Sequence, residues 1–330
     1  MPQKSALNRG YAVALVSAAI LSTTAIFIRY LTQTYHLPSL VLAFWRELFV
    51  VLTLLPILAL ARPALLRVPS SQLAYLAGYG FVLAIFNASW TISVARNGAA
   101  VATVLVYCSS AFTVLLGWWL LKERFHWGKI LAVAFSLGGC VLVAEAYDPA
   151  AWNANLSGVF VGVFSGLLYA IYSLMGRSAA QRGLSPWTTM VYIFAFAAVL
   201  LLGFNLLPGD WIPESAAQAG DLLWLGEAWM GWGVLFLLAA GPTLAGYGLY
   251  NVSLSYLPSS VANLIVTLEP AFTALLAYFF LGEHLKAVQL AGSGLILGGV
   301  VVLRIYEGKA APGVDRIEQD SQRRPSPTET

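Results

Sequence analysis

Long runs of apolar residues, each about as long as a lipid bilayer is thick, dominate this sequence. Of its 330 residues, 59% are hydrophobic and 10% are charged, whereas soluble domains carry about 25% charged residues. A helix needs roughly 20 apolar residues to cross the hydrocarbon core of a membrane. Because that core offers no water to backbone polar groups, helices are the simplest way to cross it. The sequence therefore predicts an all-α polytopic membrane protein.

Glycine, proline and charged residues divide the apolar sequence into ten candidate transmembrane helices. The predicted helices span residues 10–33, 38–60, 72–94, 98–121, 127–146, 156–178, 186–207, 229–254, 259–281 and 286–305. The first run continues too far for the apolar core of a cleaved signal peptide, so we interpret it as the first helix. We expect residues 1–9 to form a short N-terminus, residues 147–155 an outer linker, and the polar residues 306–330 a disordered tail.

Basic residues indicate how these helices are oriented, because Lys and Arg accumulate in cytoplasmic loops. With the N-terminus inside, 14 of the 18 Lys and Arg residues lie on the inner side. The outer loop from Pro208 to Ala228 then holds four acidic residues and no basic one. We therefore expect a protein integral to the plasma membrane, which is the inner membrane in bacteria, with both termini in the cytoplasm.

An internal repeat divides the chain into two halves. A shift of 160 residues aligns residues 100–143 with 260–303 without a gap, and 14 of the 44 positions are identical. The matches include Glu123 with Glu283 and a Gly pair in each half. A duplicated unit with an odd number of helices sits in the membrane in opposite orientations, as in many secondary transporters. The sequence thus predicts two inverted five-helix repeats, residues 10–146 and 156–305.

The repeated segments carry recognisable short motifs. They are the small-residue segments 98–102 and 258–262, Glu-Pro-Ala-Phe-Thr at 269–273, and Leu-x-Glu at 121–123 and 281–283. In these motifs the chain resembles the drug/metabolite transporter superfamily, with two EamA-type units, and its aromatic-rich helices resemble the YddG-like aromatic amino-acid exporters. The resemblance implies transport by alternating access. One departure is that Ser109-Ser110 stands where the second half has Glu269-Pro270.

Polar faces on the predicted helices mark where a substrate could bind, because a polar group inside a bilayer needs a partner or a water-filled cavity. Thr103, Tyr107 and Ser110 share one helix face, and the repeat carries that face to the helix with Asn263 and Thr267. The candidate substrate-binding residues are Asn87, Trp90, Thr103, Tyr107, Ser110, Tyr169, Tyr172, Tyr247, Tyr250, Asn251, Asn263 and Thr267. The alternative is that these residues only form interhelical hydrogen bonds and pack helices.

Charged residues inside predicted helices are the other candidates. Glu269 precedes Pro270, which lacks an N–H and so frees a backbone carbonyl one turn earlier, an arrangement suited to gating or proton coupling. Its alternative is a structural carboxylate paired with another helix. Arg46 could reach a substrate carboxylate, although a structural ion pair or snorkelling toward the interface is the simpler interpretation. Glu123 lies at a helix end, which favours a capping or solvated role.

The sequence excludes several other functions. It has no phosphate-binding loop and no soluble domain for ATP. It has no Cys/His spacing for a metal, and its scattered basic residues give no nucleic-acid surface. We expect no cofactor and no catalytic residues. The prediction is a secondary transporter of amino acids, including aromatic ones, or of related small metabolites. The alternatives are a drug, nucleoside or sugar-derivative transporter and, in another class, a non-transporting membrane receptor or enzyme.

The basic-residue asymmetry generates a topology prediction. In a cysteine-free background, a cysteine introduced next to Glu214 should react with a membrane-impermeant thiol reagent in intact cells. A cysteine next to Arg182 should react only after the membrane is permeabilised. Labelling of the Arg182 position in intact cells would reverse the assigned orientation.

Overall fold

The structure is all-helical wherever it is described. It is a computed structural model that describes residues 2–123, 127–143, 147–148, 156–207, 212, 214–216, 218–272, 286–288, 290–303 and 305–306. Among these residues there is no β-strand. In this part of the chain six helices are long and apolar enough to cross a membrane, and three shorter apolar helices accompany them. The prediction of an all-α integral membrane protein is confirmed, and the number of ten spans stays a prediction.

The helices follow the apolar runs closely, with breaks inside several of them. In chain order they are α1 (Pro2–Leu21), α2 (Thr24–Thr34), α3 (Ser39–Ala61), α4 (Ser70–Tyr107), α5 (Ser109–Leu121), α6 (Trp127–Val143), α7 (Leu156–Gln181), α8 (Pro186–Asn205), α9 (Trp229–Leu238), α10 (Tyr247–Tyr256), α11 (Ser259–Val266) and α12 (Leu290–Leu303). A π-helical segment, Ala239–Gly246, joins α9 to α10. The second half of the predicted helix 259–281 lies largely outside the described residues.

Helix α4 differs from the prediction, because it joins the predicted helix 72–94 to the first part of the predicted helix 98–121. It is nevertheless not straight. A Cβ atom added at Gly162 of α7 would lie 2.8 Å from both the Ser93 hydroxyl and the Leu105 Cβ. These two residues would be about 18 Å apart along a straight helix. The chain therefore changes direction between Ser93 and Leu105, and both arms of α4 pack on α7.

Within the described residues, four interruptions of the helices lie inside the predicted transmembrane runs. They are the turn at Ser22–Thr23, the turn at Cys108, the π-helical segment around Pro242, and the turn at Thr267–Leu268. The breaks at Cys108 and at Thr267–Leu268 fall at equivalent positions of the 160-residue repeat. The two aligned segments therefore share a local backbone feature as well as sequence.

At each of these breaks a side-chain hydroxyl group forms a hydrogen bond with a backbone carbonyl group. Each donates a hydrogen bond of 2.6–2.8 Å to a carbonyl oxygen three to five residues earlier: Thr23 to Ile20, Ser110 to Tyr107, Thr243 to Leu238 and Thr267 to Leu264. An unsatisfied backbone group in hydrocarbon costs several kcal/mol, so such bonds allow a helix to break at membrane depth.

Polar contacts close the helix bundle at both ends. At one end, Arg96 pairs with Glu214 at 3.2 Å, and Ser39 donates a hydrogen bond to the same carboxylate. At the other end, Glu123 accepts hydrogen bonds from the backbone N–H of Ser259 at 2.8 Å and from its hydroxyl at 2.5 Å. A carboxylate at a helix N-terminus satisfies free N–H groups and the helix dipole. Glu123 therefore caps α11, which is one of the two roles expected from its position at a helix end.

The tight contact between α4 and α8 predicts opposite effects for two neighbouring glycines. A Cβ atom at Gly80 would lie 2.8 Å from the Ile193 carbonyl oxygen and 2.5 Å from Phe196 Cβ, whereas Gly78 has nothing within 4 Å. Gly80→Ala should destabilise the protein by about 1–3 kcal/mol through overpacking. Gly78→Ala should stabilise it by up to about 1 kcal/mol through helix propensity. Thermal unfolding in detergent checks both, and equal melting temperatures for the two variants would contradict this packing.

Candidate functional site

A buried cavity lies where the four helix breaks meet. Its lining residues are Leu21, Thr24, Phe86, Trp90, Val106, Tyr107, Tyr169, Tyr247 and Glu269. All of these side chains except Glu269 are buried. About 30 Å³ of the cavity is open to the centre of a water molecule, which is room for about two waters. In this conformation the cavity is too small for an organic substrate.

The breaks themselves bring the lining residues to the cavity. Leu21 and Thr24 flank the first break, Tyr107 immediately precedes the second, Tyr247 follows the π-helical segment, and Glu269 follows the last break. Irregular backbone at membrane depth is tolerated where it is buried in protein or lines a water-filled cavity. The convergence of four breaks on one cavity is therefore the main structural sign of a functional site.

The lining combines aromatic rings with one carboxyl group. Five of the nine lining residues are aromatic. Phe86 and Tyr169 stack with ring centroids 5.1 Å apart. The Tyr107 hydroxyl donates a hydrogen bond of 2.5 Å to Glu269. Aromatic faces attract planar groups and cations, and a carboxylate pairs with an ammonium group. The arrangement can therefore hold an amphipathic organic molecule, provided that the cavity widens.

Five of the residues predicted from the sequence lie at this cavity. They are Trp90, Tyr107, Tyr169, Tyr247 and Glu269. The candidates from the sequence did not include Leu21, Thr24, Phe86 and Val106, none of which carries a charged or amide group. The Ser-Thr-Thr sequence at 22–24 was the available signal, because three hydroxyl residues in an apolar run favour a break.

Two of the predicted amides and two predicted tyrosines lie beside the cavity in hydrogen-bonded networks. Asn251 donates to the Tyr172 hydroxyl at 2.7 Å. Asn263 accepts from Ser109 at 3.3 Å and donates to Ser173 at 3.4 Å. The Ser173 hydroxyl in turn contacts that of Tyr250 at 2.6 Å. In this conformation these four predicted residues join helices, which is the alternative role considered for them.

The other predicted residues have local partners or lie outside the described side chains. Ser110 and Thr267 bond backbone carbonyls at the breaks, and Pro270 is buried next to Glu269. Asn87 donates a hydrogen bond to Glu47 rather than facing the cavity. The side chain of Thr103 lies outside the described residues. No group of three or more metal-binding side chains occurs in the part of the chain that the structure describes.

Helices interrupted around a buried, aromatic cavity are characteristic of secondary transporters. The sequence matches the EamA-like transporter family over residues 8–144 and 156–305. The chain belongs to this family. This confirms the resemblance to the drug/metabolite transporter superfamily, the two EamA-type units and the prediction that the protein is a transporter rather than an enzyme.

Several relatives support this assignment at low sequence identity. An uncharacterized transporter of Archaeoglobus fulgidus is 27% identical over 90% of this chain and 96% of its own length. The threonine/homoserine exporter RhtA of Escherichia coli is 29% identical over 73% of this chain and 74% of its own. A probable amino-acid metabolite efflux pump of Salmonella typhimurium is 26% identical over 81% and 86%.

A solved crystal structure shares the fold. It superposes with a TM-score of 0.69 and covers 91% of this chain and 98% of its own, at 16% sequence identity. This similarity concerns the fold alone.

Proposed function

We propose that this protein is a secondary transporter that exports amino acids or closely related small metabolites through the cavity at the four helix breaks. The observation that carries the proposal is the meeting of Tyr107 from the first repeat with Glu269 from the second inside that aromatic cavity. Two relatives are described as a threonine/homoserine exporter and a probable amino-acid metabolite efflux pump, which favours an amino-acid substrate. The aromatic lining favours substrates with aromatic or apolar side chains.

The proposed architecture is ten membrane spans in two inverted five-helix units, residues 10–146 and 156–305. The equivalent breaks at Cys108 and at Thr267–Leu268 support this arrangement. The change of direction between Ser93 and Leu105 supports separate third and fourth spans. The basic-residue asymmetry favours cytoplasmic termini, in the inner membrane of a bacterium.

In this proposal, transport follows from opening one end of the bundle at a time. The Arg96–Glu214 pair closes one end and the cap that Glu123 forms on α11 closes the other. Each opening would break charged contacts and widen the cavity. A substrate lowers that cost only if it binds the open state better than the closed one.

Glu269 is the proposed coupling or gating group. It lies just after a helix break, and its carboxyl group bonds the Tyr107 hydroxyl. A proton on this carboxyl group would change both its charge and its hydrogen bonding to Tyr107. Binding and release of a proton there would link the state of the cavity to the proton gradient.

Glu269→Gln tests this role directly, because the amide keeps the shape of the side chain but cannot carry a proton. In proteoliposomes, transport by this variant should lose its dependence on an imposed pH gradient. Counterflow exchange, which needs no net proton movement, should stay within about two-fold of the parent. Parent transport that ignores the gradient would remove the proton-carrying role.

Tyr107→Ala tests the cavity as the substrate site. Loss of a stacking face worth about 0.5–1.5 kcal/mol predicts a half-saturation concentration about two- to ten-fold higher for aromatic amino acids. Phe81→Ala is the matched control, because Phe81 is an exposed ring on α4 away from the cavity. Counterflow of labelled phenylalanine and threonine measures both variants. Equal half-saturation in Tyr107→Ala, Phe81→Ala and parent protein would place the site elsewhere.

A further inference from the structure

A second group of polar side chains, separate from the residues that line the cavity, is buried between α3 and α4. Arg46 and Glu47 on α3 are both 0% exposed, and so is Asn87 on α4. The guanidinium of Arg46 lies 3.6 Å from the Glu47 carboxylate, which is too far for a hydrogen bond. Asn87 donates its amide N–H to the same carboxylate. Arg46 therefore does not snorkel to the membrane surface.

Most of the hydrogen-bonding capacity of this cluster is unused. All three guanidinium nitrogens of Arg46 have no hydrogen-bond partner among the described residues, and neither do Glu47 Oε2 and Asn87 Oδ1. Buried polar groups are almost always hydrogen-bonded. A partly satisfied network in a low-dielectric region is less stable than either a complete network or an apolar core. Protein groups do not use these donors and acceptors, so they are available to a ligand.

The unused atoms match one kind of molecule. Arg46 offers only donors, in the planar fork that binds a carboxylate through two parallel hydrogen bonds. Glu47 Oε2 and Asn87 Oδ1 offer only acceptors, which suit an ammonium group. An α-amino acid zwitterion carries a carboxylate and an ammonium on adjacent atoms and has no net charge. Its binding would complete the network without adding charge to the membrane interior.

We propose that Arg46, Glu47 and Asn87 bind the zwitterionic head group of the transported amino acid. This inference rests on the proposed function and deepens it. Asn87 directly follows Phe86, which lines the aromatic cavity, and Trp90 lies one turn further along the same helix. The cluster and the cavity thus share one segment of α4. The head group binds the charged cluster, while the aromatic cavity receives the side chain once it widens.

The first test uses the parent protein and needs no variant. Counterflow of labelled L-phenylalanine and L-threonine first establishes transport. Unlabelled phenylalaninamide, which lacks the carboxylate, and 3-phenylpropionate, which lacks the ammonium, then compete with L-phenylalanine. A site that hydrogen-bonds both charged groups should prefer the intact amino acid over each analogue by about 100-fold or more. Equal competition by the analogues would overturn the inference.

Single substitutions then assign each half of the head group. Arg46→Lys keeps the charge but loses the two parallel bonds, so the preference for phenylalanine over its amide should fall at least about ten-fold. Glu47→Gln keeps the shape of the side chain but removes the charge that pairs with the ammonium group. It should therefore reduce the preference for phenylalanine over 3-phenylpropionate. Arg62→Lys, at an exposed position just after α3, is the matched control. Unchanged preferences in folded Arg46→Lys and Glu47→Gln would overturn the proposal.

A triple variant separates head-group binding from a structural ion pair. Replacing a buried ionic cluster as a whole by apolar residues is often neutral or stabilising, so Arg46→Met with Glu47→Leu and Asn87→Leu should fold. If the pair is only structural, this variant transports like the parent, and the inference fails. If the cluster binds the head group, the variant loses selectivity between phenylalanine and both analogues. If the Arg46 variants do not fold, Glu47→Gln alone tests the proposal. Its preference for phenylalanine over 3-phenylpropionate should be lower than that of the parent, and an unchanged preference would overturn the proposal.

The outcomes also distinguish this inference from the proposed function. If the folded parent protein exchanges neither phenylalanine nor threonine, amino-acid export itself is contradicted. If it exchanges them without discriminating the analogues, only the head-group site is contradicted.

Discussion

The absence of water in the bilayer core is the constraint on which this structure depends. Every backbone N–H and C=O group at that depth needs a partner within the protein. Regular helices meet this need alone, and an interrupted helix meets it only with help. Hydroxyl groups of Thr23, Ser110, Thr243 and Thr267 supply that help at the four breaks. Because such breaks must avoid lipid, they lie inside the bundle, and there they shape the cavity.

The all-helical membrane character was predictable because it depends on composition averaged over roughly 20 residues. The repeat was predictable because Glu123 and the glycine pairs recur in one register. The helix breaks were harder to predict from the sequence. Cys108 ends a helix without a nearby proline or glycine, and the three hydroxyl residues Ser22–Thr24 are too few to interrupt a hydropathy average taken over a whole span. Such breaks depend on tertiary contacts and on single hydroxyl groups, and a window of apolar residues does not register them.

The site residues show a related limit. Helical spacing identifies which face of a helix points into the bundle, and it correctly brought Tyr107 and Tyr169 to the interior. It does not distinguish a side chain that lines a cavity from one that bonds the next helix. Asn251 and Asn263 lie on predicted faces, yet their amides are used by Tyr172, Ser109 and Ser173. The partner of a polar group lies on another helix, so its identity requires the three-dimensional arrangement.

The Glu-Pro pair at 269–270 has no counterpart in the first half, where two serines occupy the equivalent positions. A carrier built from two identical inverted halves would have inward-facing and outward-facing states of equal free energy. In the proposed mechanism the halves are chemically different, so symmetry does not make the two states equal in free energy, nor the half-saturation concentrations at the two faces of the membrane equal. For an uncoupled carrier, detailed balance still makes the ratio of maximal velocity to half-saturation the same in both directions. Unequal halves therefore adapt the carrier to the concentrations on each side, while accumulation against a gradient requires an ion or proton that moves with the substrate.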